Sequence, residues 1–142
     1  MTVKRYQVTQ EEYGSIKERL TEVLAQDPRV IFAYVHGSFS PKDKFGDIDV
    51  AVFLKTESEI NYLQCEVSLE ASLHKLFPFP VDVRVLNHAP DTFRYSVIKK
   101  GQKLVDKDES LRVEFETATF SRYFDFYPLR RRYLKEVLNL EI

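Results

Sequence analysis

The stretch RVIFAYVHGSFSPKDKFGDIDVAVFL, residues 29–54, contains two runs rich in β-branched and aromatic residues, separated by a polar segment. The first run, Arg29–His36, ends at Gly37, and the second run extends from Asp47 to Leu54. Val, Ile, Phe and Tyr at this density are typical of buried strands. The intervening SFSPKDKFG segment combines proline, glycine and charged residues, which is typical of a turn. We therefore predict two strands joined by a polar turn.

Helical and strand patterns alternate on both sides of this stretch. Before it, a helix is predicted from a capping box at Thr9–Glu12 to about Gln26. After it, we predict a helix from a second capping box at Thr56–Glu59 to about Phe77, a strand over Val81–Leu86, and a helix over Pro90–Lys100 with Gly101 at its C-terminal cap. A short strand over Gln102–Val105 follows, and the chain from Asp106 onward is predicted to be helical with an interruption near Pro128. This order predicts an α/β (α+β) fold, a mixed sheet covered by helices on one face.

Length and composition limit the architecture. The chain has 142 residues, of which 44% are hydrophobic and 30% charged, enough for a compact core and too apolar for general disorder. This length predicts one domain, residues 1–142, with a C-terminal helical segment over residues 106–142.

Charge, cysteine content and hydropathy limit the compartment and the partners. The net charge of −1 gives no general attraction to nucleic acid, so no DNA partner is expected. A single cysteine excludes an internal disulfide and a cysteine-rich zinc site, as expected in a reducing compartment. No apolar run reaches the ~20 residues that span a bilayer, so no membrane partner is expected. These features predict a soluble cytoplasmic protein.

Three aspartates are expected on one face of the sheet. Alternation along a strand places Asp47 and Asp49 opposite the aliphatic residues of their strand, and it places Asp82 outward on the next predicted strand. If the two strands are neighbours, the carboxylates cluster, which favours a bound Mg²⁺ or Mn²⁺ because clustered carboxylates repel one another. A simpler interpretation is that Asp47 caps a turn, Asp49 pairs with a lysine and Asp82 pairs with Arg84.

The turn before the aspartates has features of a phosphate-binding segment. Gly37 allows backbone amides to approach a phosphate, and Ser38 adds a hydroxyl donor at the end of a strand. Lys42 and Lys44 lie in the same turn, where they either reach the β- and γ-phosphates or stay solvated. The simpler interpretation is an ordinary glycine that ends a strand, followed by an N-cap serine. The combination with three aspartates favours binding of a nucleotide and metal ions.

The chain resembles the minimal nucleotidyltransferases (MNT) of the DNA polymerase β superfamily in three motifs: His36-Gly37-Ser38-Phe39, Asp47-Ile48-Asp49 after eight further residues, and Val81-Asp82-Val83. The resemblance implies a polymerase-β-like palm fold. It also implies site roles: a nucleoside triphosphate held by Gly37 and Ser38, two Mg²⁺ bound by Asp47 and Asp49, and an acceptor hydroxyl activated by Asp82, which completes the metal site. The turn is shorter than in the commoner family pattern, and Gly46 replaces the usual serine, which implies an altered pocket for the nucleotide base.

The same resemblance implies a function and a partner. MNT proteins are antitoxins that transfer AMP from ATP to a tyrosine of a HEPN-type toxin. The alternative is a non-catalytic antitoxin that neutralises its partner by forming a complex. A basic cluster, Arg130–Arg132 with Lys135, and an apolar stripe through Leu129, Tyr133 and Val137 lie in the last predicted helix. This stripe predicts a homodimer or partner interface.

Overall fold

The computed structural model describes residues 4–57 and 59–139, with Phe126 described through its backbone alone. Within these residues the chain forms four helices and four strands. In chain order they are α1 (Gln10–Gln26), β1 (Val30–His36), β2 (Ile48–Leu54), α2 (Tyr62–His74), β3 (Val81–Val85), α3 (Asp91–Lys100), β4 (Gln102–Asp106) and α4 (Glu109–Glu136).

The four strands form one mixed sheet in the order β3-β2-β1-β4. β1 is antiparallel to β2 and to β4, whereas β2 is parallel to β3. The predicted mixed sheet is therefore confirmed. The pairing of β2 with β3 also meets the condition that the aspartate hypothesis required.

Helices cover both faces of the sheet, whereas the sequence analysis placed them on one. On the first face, α1 and α2 pack on the aliphatic residues of β2, and the buried side chains include Leu20, Leu24, Ile48, Val50, Val52, Leu69 and Leu73. On the second face, α3 and α4 contribute Val97 and Phe115, which pack with Phe32, Tyr34 and Ala51 of the sheet. The second face is covered because its residues are also large and apolar, so leaving them in water would be unfavourable.

The boundaries of α2 differ from the prediction. The helix begins at Tyr62, after the Asn61 side chain accepts a hydrogen bond from the Gln64 amide at 3.2 Å. The predicted capping box at residues 56–59 is therefore wrong, although its Ser58 lies outside the described residues. Asn61 provides a competing cap three residues before Gln64, and a turn from Ile60 N–H to the Glu57 carbonyl precedes it. The helix ends at His74 rather than Phe77.

Pro128 lies inside α4, so the predicted interruption of this helix is wrong. Proline removes one backbone donor and leaves the carbonyl four residues earlier without its helical partner. That carbonyl belongs to Phe124, whose side chain is exposed, and water can satisfy a carbonyl on an exposed stretch of helix.

In the part of the chain that the structure describes, no helix combines the length and apolar character needed to cross a membrane.

Side chains of α2 occupy the free edge of β3. The Val83 amide donates to Glu70 Oε1 at 2.8 Å, and the Val85 amide donates to Glu66 Oε1 at 2.9 Å. The Val81 amide donates to His74 Nε2 at 3.2 Å. The three α2 residues are spaced four apart, on one helix face, and they match alternate amides of the strand. We refer to Glu66, Glu70 and His74 as the α2 ladder.

Candidate functional site

The strand register brings one residue from each of three strands into a row. Asp49 on β2 is directly opposite His36 on β1 and Asp82 on β3. Asp47 precedes β2 by one residue, and alternation places it on the same face as Asp49. The structure therefore brings the three predicted aspartates to one end of the sheet, beside the end of β1.

Gly37 turns the chain directly over the Asp49 carboxylate. Its φ of +79° lies in the left-handed region, which residues with a Cβ rarely adopt. A Cβ at this position would lie 2.0 Å from Asp49 Oδ2. Glycine is thus required here for two reasons, and the backbone of the turn lies against a carboxylate that the sequence assigned to metal binding.

Ser38 and the two lysines of the turn face solvent. Ser38 is exposed immediately after Gly37, and residues 38–40 do not form a helical turn. Lys42 and Lys44 are also exposed, between the buried rings of Phe39 and Phe45, whose centroids are 4.9 Å apart. These two rings anchor the turn in the core, so its polar residues are presented on a fixed support.

Burial and neighbouring charge raise the pKa of Asp49 to about 6. Desolvation is the largest cause, followed by the negative charges of Asp47 and Asp82, while Arg84 opposes the shift. The three carboxylates are therefore close enough to repel one another. A bound cation would relieve this repulsion.

The donor set fits a hard divalent cation that also binds phosphate. Among residues 4–57 and 59–139, no group of three or more His, Cys, Asp or Glu side chains is arranged to hold a metal ion. Mg²⁺ typically takes only one or two protein carboxylates and completes its shell with phosphate oxygens and water. Asp47 and Asp49, which are separated by one residue beside the Gly37 turn, fit this mode of Mg²⁺ binding. The three-aspartate metal site remains a prediction.

His36, Arg84 and Phe93 surround the carboxylates. Arg84 Nε lies 3.7 Å from Asp82 Oδ2, and the Arg84 guanidinium lies over the Phe93 ring at 6.0 Å. The His36 ring contacts Phe93 edge to face, with centroids 5.6 Å apart. Burial lowers the pKa of His36, and its Nε2 is buried without a hydrogen-bond partner among the described residues. His36 is therefore a neutral, packed residue of the site near pH 7.

A cleft of about 380 Å³ opens beside Arg84 at the outer edge of β3, and we call it the β3-edge cleft. Its lining residues combine three rings with two charged side chains: Tyr62, Glu66, Arg84, Val85, His88, Ala89, Pro90 and Phe93. Tyr62 and His88 contact each other, with ring centroids 5.3 Å apart.

Buried hydrogen bonds fix the loop that forms one wall of this cleft. Asn87 accepts from the Leu54 amide at 2.9 Å and donates to the Leu54 carbonyl at 2.8 Å. Arg94 Nε donates to the Leu86 carbonyl at 2.9 Å, and a second Arg94 nitrogen donates to the Asn87 carbonyl. The cleft is therefore preformed.

Several of these residues were not singled out from the sequence. Tyr62, Asn87 and Arg94 lie in a helix and a loop whose positions depend on where α2 begins and where α3 packs. A buried asparagine between two predicted elements is the one available signal, because a buried amide must find hydrogen-bond partners.

Comparison with known proteins agrees with this geometry. A family model described as polymerase beta, nucleotidyltransferase matches residues 18–110, about two thirds of the chain, including β1, β2 and β3. No curated protein matches the sequence.

Solved structures share the fold at low sequence identity. A chain from the complex of a tri-AMPylated Shewanella oneidensis HEPN toxin with an MNT antitoxin is 20% identical, with a TM-score of 0.70 over 89% of this chain and 98% of that chain. A chain of the MntA-HepT toxin-antitoxin structure is 19% identical, with a TM-score of 0.68 over 88% and 98%. A toxin-antitoxin structure with AMP-PNP gives 24% identity and a TM-score of 0.64 over 85% and 98%.

Proposed function

Since the chain belongs to the polymerase beta nucleotidyltransferase family, we propose that it transfers AMP from ATP to a tyrosine of a HEPN-type toxin and thereby acts as the antitoxin. The nearby folds include an MNT antitoxin in complex with an AMPylated HEPN toxin and a toxin-antitoxin structure with AMP-PNP. The first supports the transferred group and the partner, and the second supports an adenine nucleotide as the donor. The ATP requirement and the single cysteine favour a cytoplasmic location.

One observation carries the proposal. The Gly37 turn lies directly against the Asp49 carboxylate, and Asp49 is opposite Asp82 in the β2–β3 register. A phosphate-binding turn and carboxylates on adjacent strands are the two parts that transfer of a nucleotidyl group requires. Neither part alone would distinguish this function from a surface turn with acidic residues.

The residues have distinct roles in the proposed reaction. Amides of the Gly37–Ser38 turn and the Ser38 hydroxyl bind the β- and γ-phosphates, with Lys42 and Lys44 close enough in the turn to add positive charge. The acceptor oxygen bonds to the α-phosphorus while the bond to the α,β-bridging oxygen breaks. Pyrophosphate leaves, and the hydroxyl proton passes to the Asp82 carboxylate.

Two Mg²⁺ ions, or Mn²⁺ in their place, would be held by Asp47, Asp49 and Asp82 together with phosphate oxygens. When bound, such ions offset the negative charge of the triphosphate and of the leaving pyrophosphate. The raised pKa of Asp49 supports this assignment, because, after burial as its largest cause, the negative charges of Asp47 and Asp82 also raise it.

The proposal is tested with α-labelled ATP, Mg²⁺ and a purified HEPN-type protein as the candidate partner. We expect label on the partner with the wild-type protein. A double variant, Asp47→Asn with Asp49→Asn, should lose roughly 100-fold or more of the rate, because several kcal/mol of charge stabilisation disappear. Asp43→Asn is the matched control, since Asp43 is exposed in the same turn and should retain activity. Unchanged labelling by the double variant would contradict the metal assignment.

A second candidate is neutralisation by binding alone. The exposed apolar residues Leu129 and Tyr133 of α4, with Val137 directly after the helix, favour contact with a partner independently of catalysis. The discriminating measurement is growth protection by the double aspartate variant. Full protection supports simple binding, whereas lost protection with retained complex formation supports nucleotidyl transfer.

A further inference from the structure

We propose that the β3-edge cleft receives the acceptor group, and that this group is a phenolic side chain presented by a folded protein. The inference rests on the proposed nucleotidyl transfer, and it assigns a place and a set of residues to the second substrate. The residues that would contact the phenol ring are Tyr62, Arg84, His88 and Phe93.

The first argument is the direction of attack. In an in-line displacement, the attacking oxygen and the leaving oxygen lie on opposite sides of the phosphorus. The proposed phosphate-binding turn follows β1, and the row of residues then runs through Asp49 on β2 to Asp82 on β3. If pyrophosphate leaves on the β1 side, the acceptor enters from the β3 side. β3 is the outer strand of the sheet, and the β3-edge cleft opens between α2 and the loop after β3, so another molecule can approach from this side.

The second argument is continuity between the cleft and the carboxylates. Arg84 lines the cleft and lies 3.7 Å from Asp82 Oδ2. Phe93 also lines the cleft and contacts the His36 ring, which is opposite Asp49. Two side chains thus belong to both places, so a ring held in the cleft against Arg84 would lie close to the Asp82 carboxylate.

The third argument is the chemistry of the lining. Rings stack or meet edge to face at centroid distances of 4.5–7 Å, and Tyr62, His88 and Phe93 offer three partners to an incoming ring. The Arg84 guanidinium adds a cation that can lie over an aromatic face. The Glu66 carboxylate accepts a hydrogen bond from the Val85 amide, so its role is structural and we do not assign it a contact with the ring.

The fourth argument identifies the acceptor as part of a protein. Leu63 and Val67 on α2 are large apolar side chains with 68% and 60% of their surface exposed. They lie four positions apart on one face of α2, the helix that also supplies Tyr62 and Glu66 to the cleft. An exposed apolar patch on a helix that lines a cleft is expected where a macromolecule docks, whereas a small acceptor would not need it.

The test uses the full chain, isotope-labelled and saturated with AMP-PNP and Mg²⁺, and titrates N-acetyl-L-tyrosinamide as a phenolic probe. We expect amide signals of Arg84, His88 and Phe93 to shift, with N-acetyl-L-leucinamide producing smaller shifts. His88→Ala should weaken the probe roughly five- to tenfold through the loss of one ring contact. Ser68→Ala, at an exposed position of α2 outside the cleft lining, should bind the probe as the wild type does.

The affinity for AMP-PNP shows whether the cleft holds the acceptor or the nucleotide base. His88→Ala should bind AMP-PNP within about twofold of the wild type in calorimetry, and it should raise the KM for the protein partner while kcat stays similar. A weakened affinity for AMP-PNP would overturn the inference, since the cleft would then hold the base. Probe shifts confined to other parts of the chain would overturn it as well.

The two proposals fail in different ways. Lack of label on any partner with the wild-type protein would count against nucleotidyl transfer. The probe titration tests the cleft whether or not transfer occurs, because it reads binding at named residues rather than turnover.

Discussion

Gly37 shows how one residue constrains both the backbone and the candidate site. The sequence analysis selected it because a glycine ends a strand before a polar turn. Its close approach to the Asp49 carboxylate could not be predicted, because that contact depends on how the turn folds back over β2. The alternation of Asp47, Asp49 and Asp82, in contrast, followed from strand periodicity and from the β2–β3 pairing.

Replacement of this glycine should therefore damage both stability and binding. Gly37→Ala forces a Cβ to within 2.0 Å of Asp49 Oδ2 and keeps φ at +79°. We expect a loss of about 1–3 kcal/mol in the free energy of unfolding, measured by urea denaturation, together with weaker binding of AMP-PNP. Gly46→Ala is the control in the same turn, because nothing lies within 4 Å of its Cβ position. Equal losses in the two variants would contradict this reason.

Asp49 should make the stability of the metal-free protein depend on pH. Its pKa is raised from 3.8 to about 6 in the folded state, so the folded protein binds the proton more tightly than the unfolded chain does. The contribution to stability is complete below pH 4 and is lost as the pH rises through about 6.

Asp49→Asn removes this dependence. Between pH 4 and pH 7, the free energy of unfolding of the wild type should fall on the order of 1 kcal/mol relative to that of Asp49→Asn. The expected change is this small because solvent screens the charge of a half-buried group. Urea denaturation in the presence of a chelator measures the difference at each pH. Asp43→Asn should follow the wild type. If the advantage of Asp49→Asn over the wild type grew as the pH fell, the result would contradict this prediction.

At the scale of elements, the strands were more predictable than the helices. The predicted strands over residues 29–36, 47–54 and 81–86 differ from β1, β2 and β3 by one residue each. Their apolar runs are short, and turn residues bound them. α2 begins later than predicted because Asn61 competes with Thr56 as the cap. The α2 ladder could not be predicted, since its spacing acquires meaning only when β3 lies beside it.

The α2 ladder should contribute to stability through its acceptors. Glu70→Ala leaves the Val83 amide without its 2.8 Å partner, and we expect a loss of about 1–3 kcal/mol in the free energy of unfolding. Glu70→Gln retains a side-chain oxygen that accepts the bond and should restore most of the loss. Hydrogen exchange at the Val83 amide should accelerate in the alanine variant alone. Ser68→Ala, at an exposed position of the same helix, serves as the control.

At the scale of the whole molecule, the second face of the sheet was the main feature that the sequence analysis missed. Phe32, Tyr34 and Phe53 alternate with the residues of the first core, so β1 and β2 are apolar on both faces. Such a pattern requires two layers of helices, and α4 is long enough to cover the sheet and extend past it. The described residues of its second half with exposed apolar side chains are Phe124, Tyr127, Leu129 and Tyr133, and Val137 and Leu138 follow directly after the helix.

This half of α4 remains the predicted site of self-association or of partner contact. A double variant, Leu129→Ser with Tyr133→Ser, removes two exposed side chains and should leave the free energy of unfolding within about 0.5 kcal/mol of the wild type. We expect light scattering to give a larger mass for the wild type than for the variant at the same concentration. A strictly monomeric wild type at high concentration, with no partner bound, would contradict the prediction.

The α2 ladder also bears on aggregation. β3 is the outer strand beside the candidate site, and its outward amides would otherwise be free to pair with a strand of another molecule. Glu66, Glu70 and His74 accept hydrogen bonds from these amides, so α2 prevents β3 from pairing with a strand of another molecule. If the β3-edge cleft receives a partner, as proposed, the cleft stays accessible while the backbone amides of β3 remain hydrogen-bonded to α2. Conditions that detach α2 should therefore produce fibrillar or amorphous aggregates before the rest of the chain unfolds.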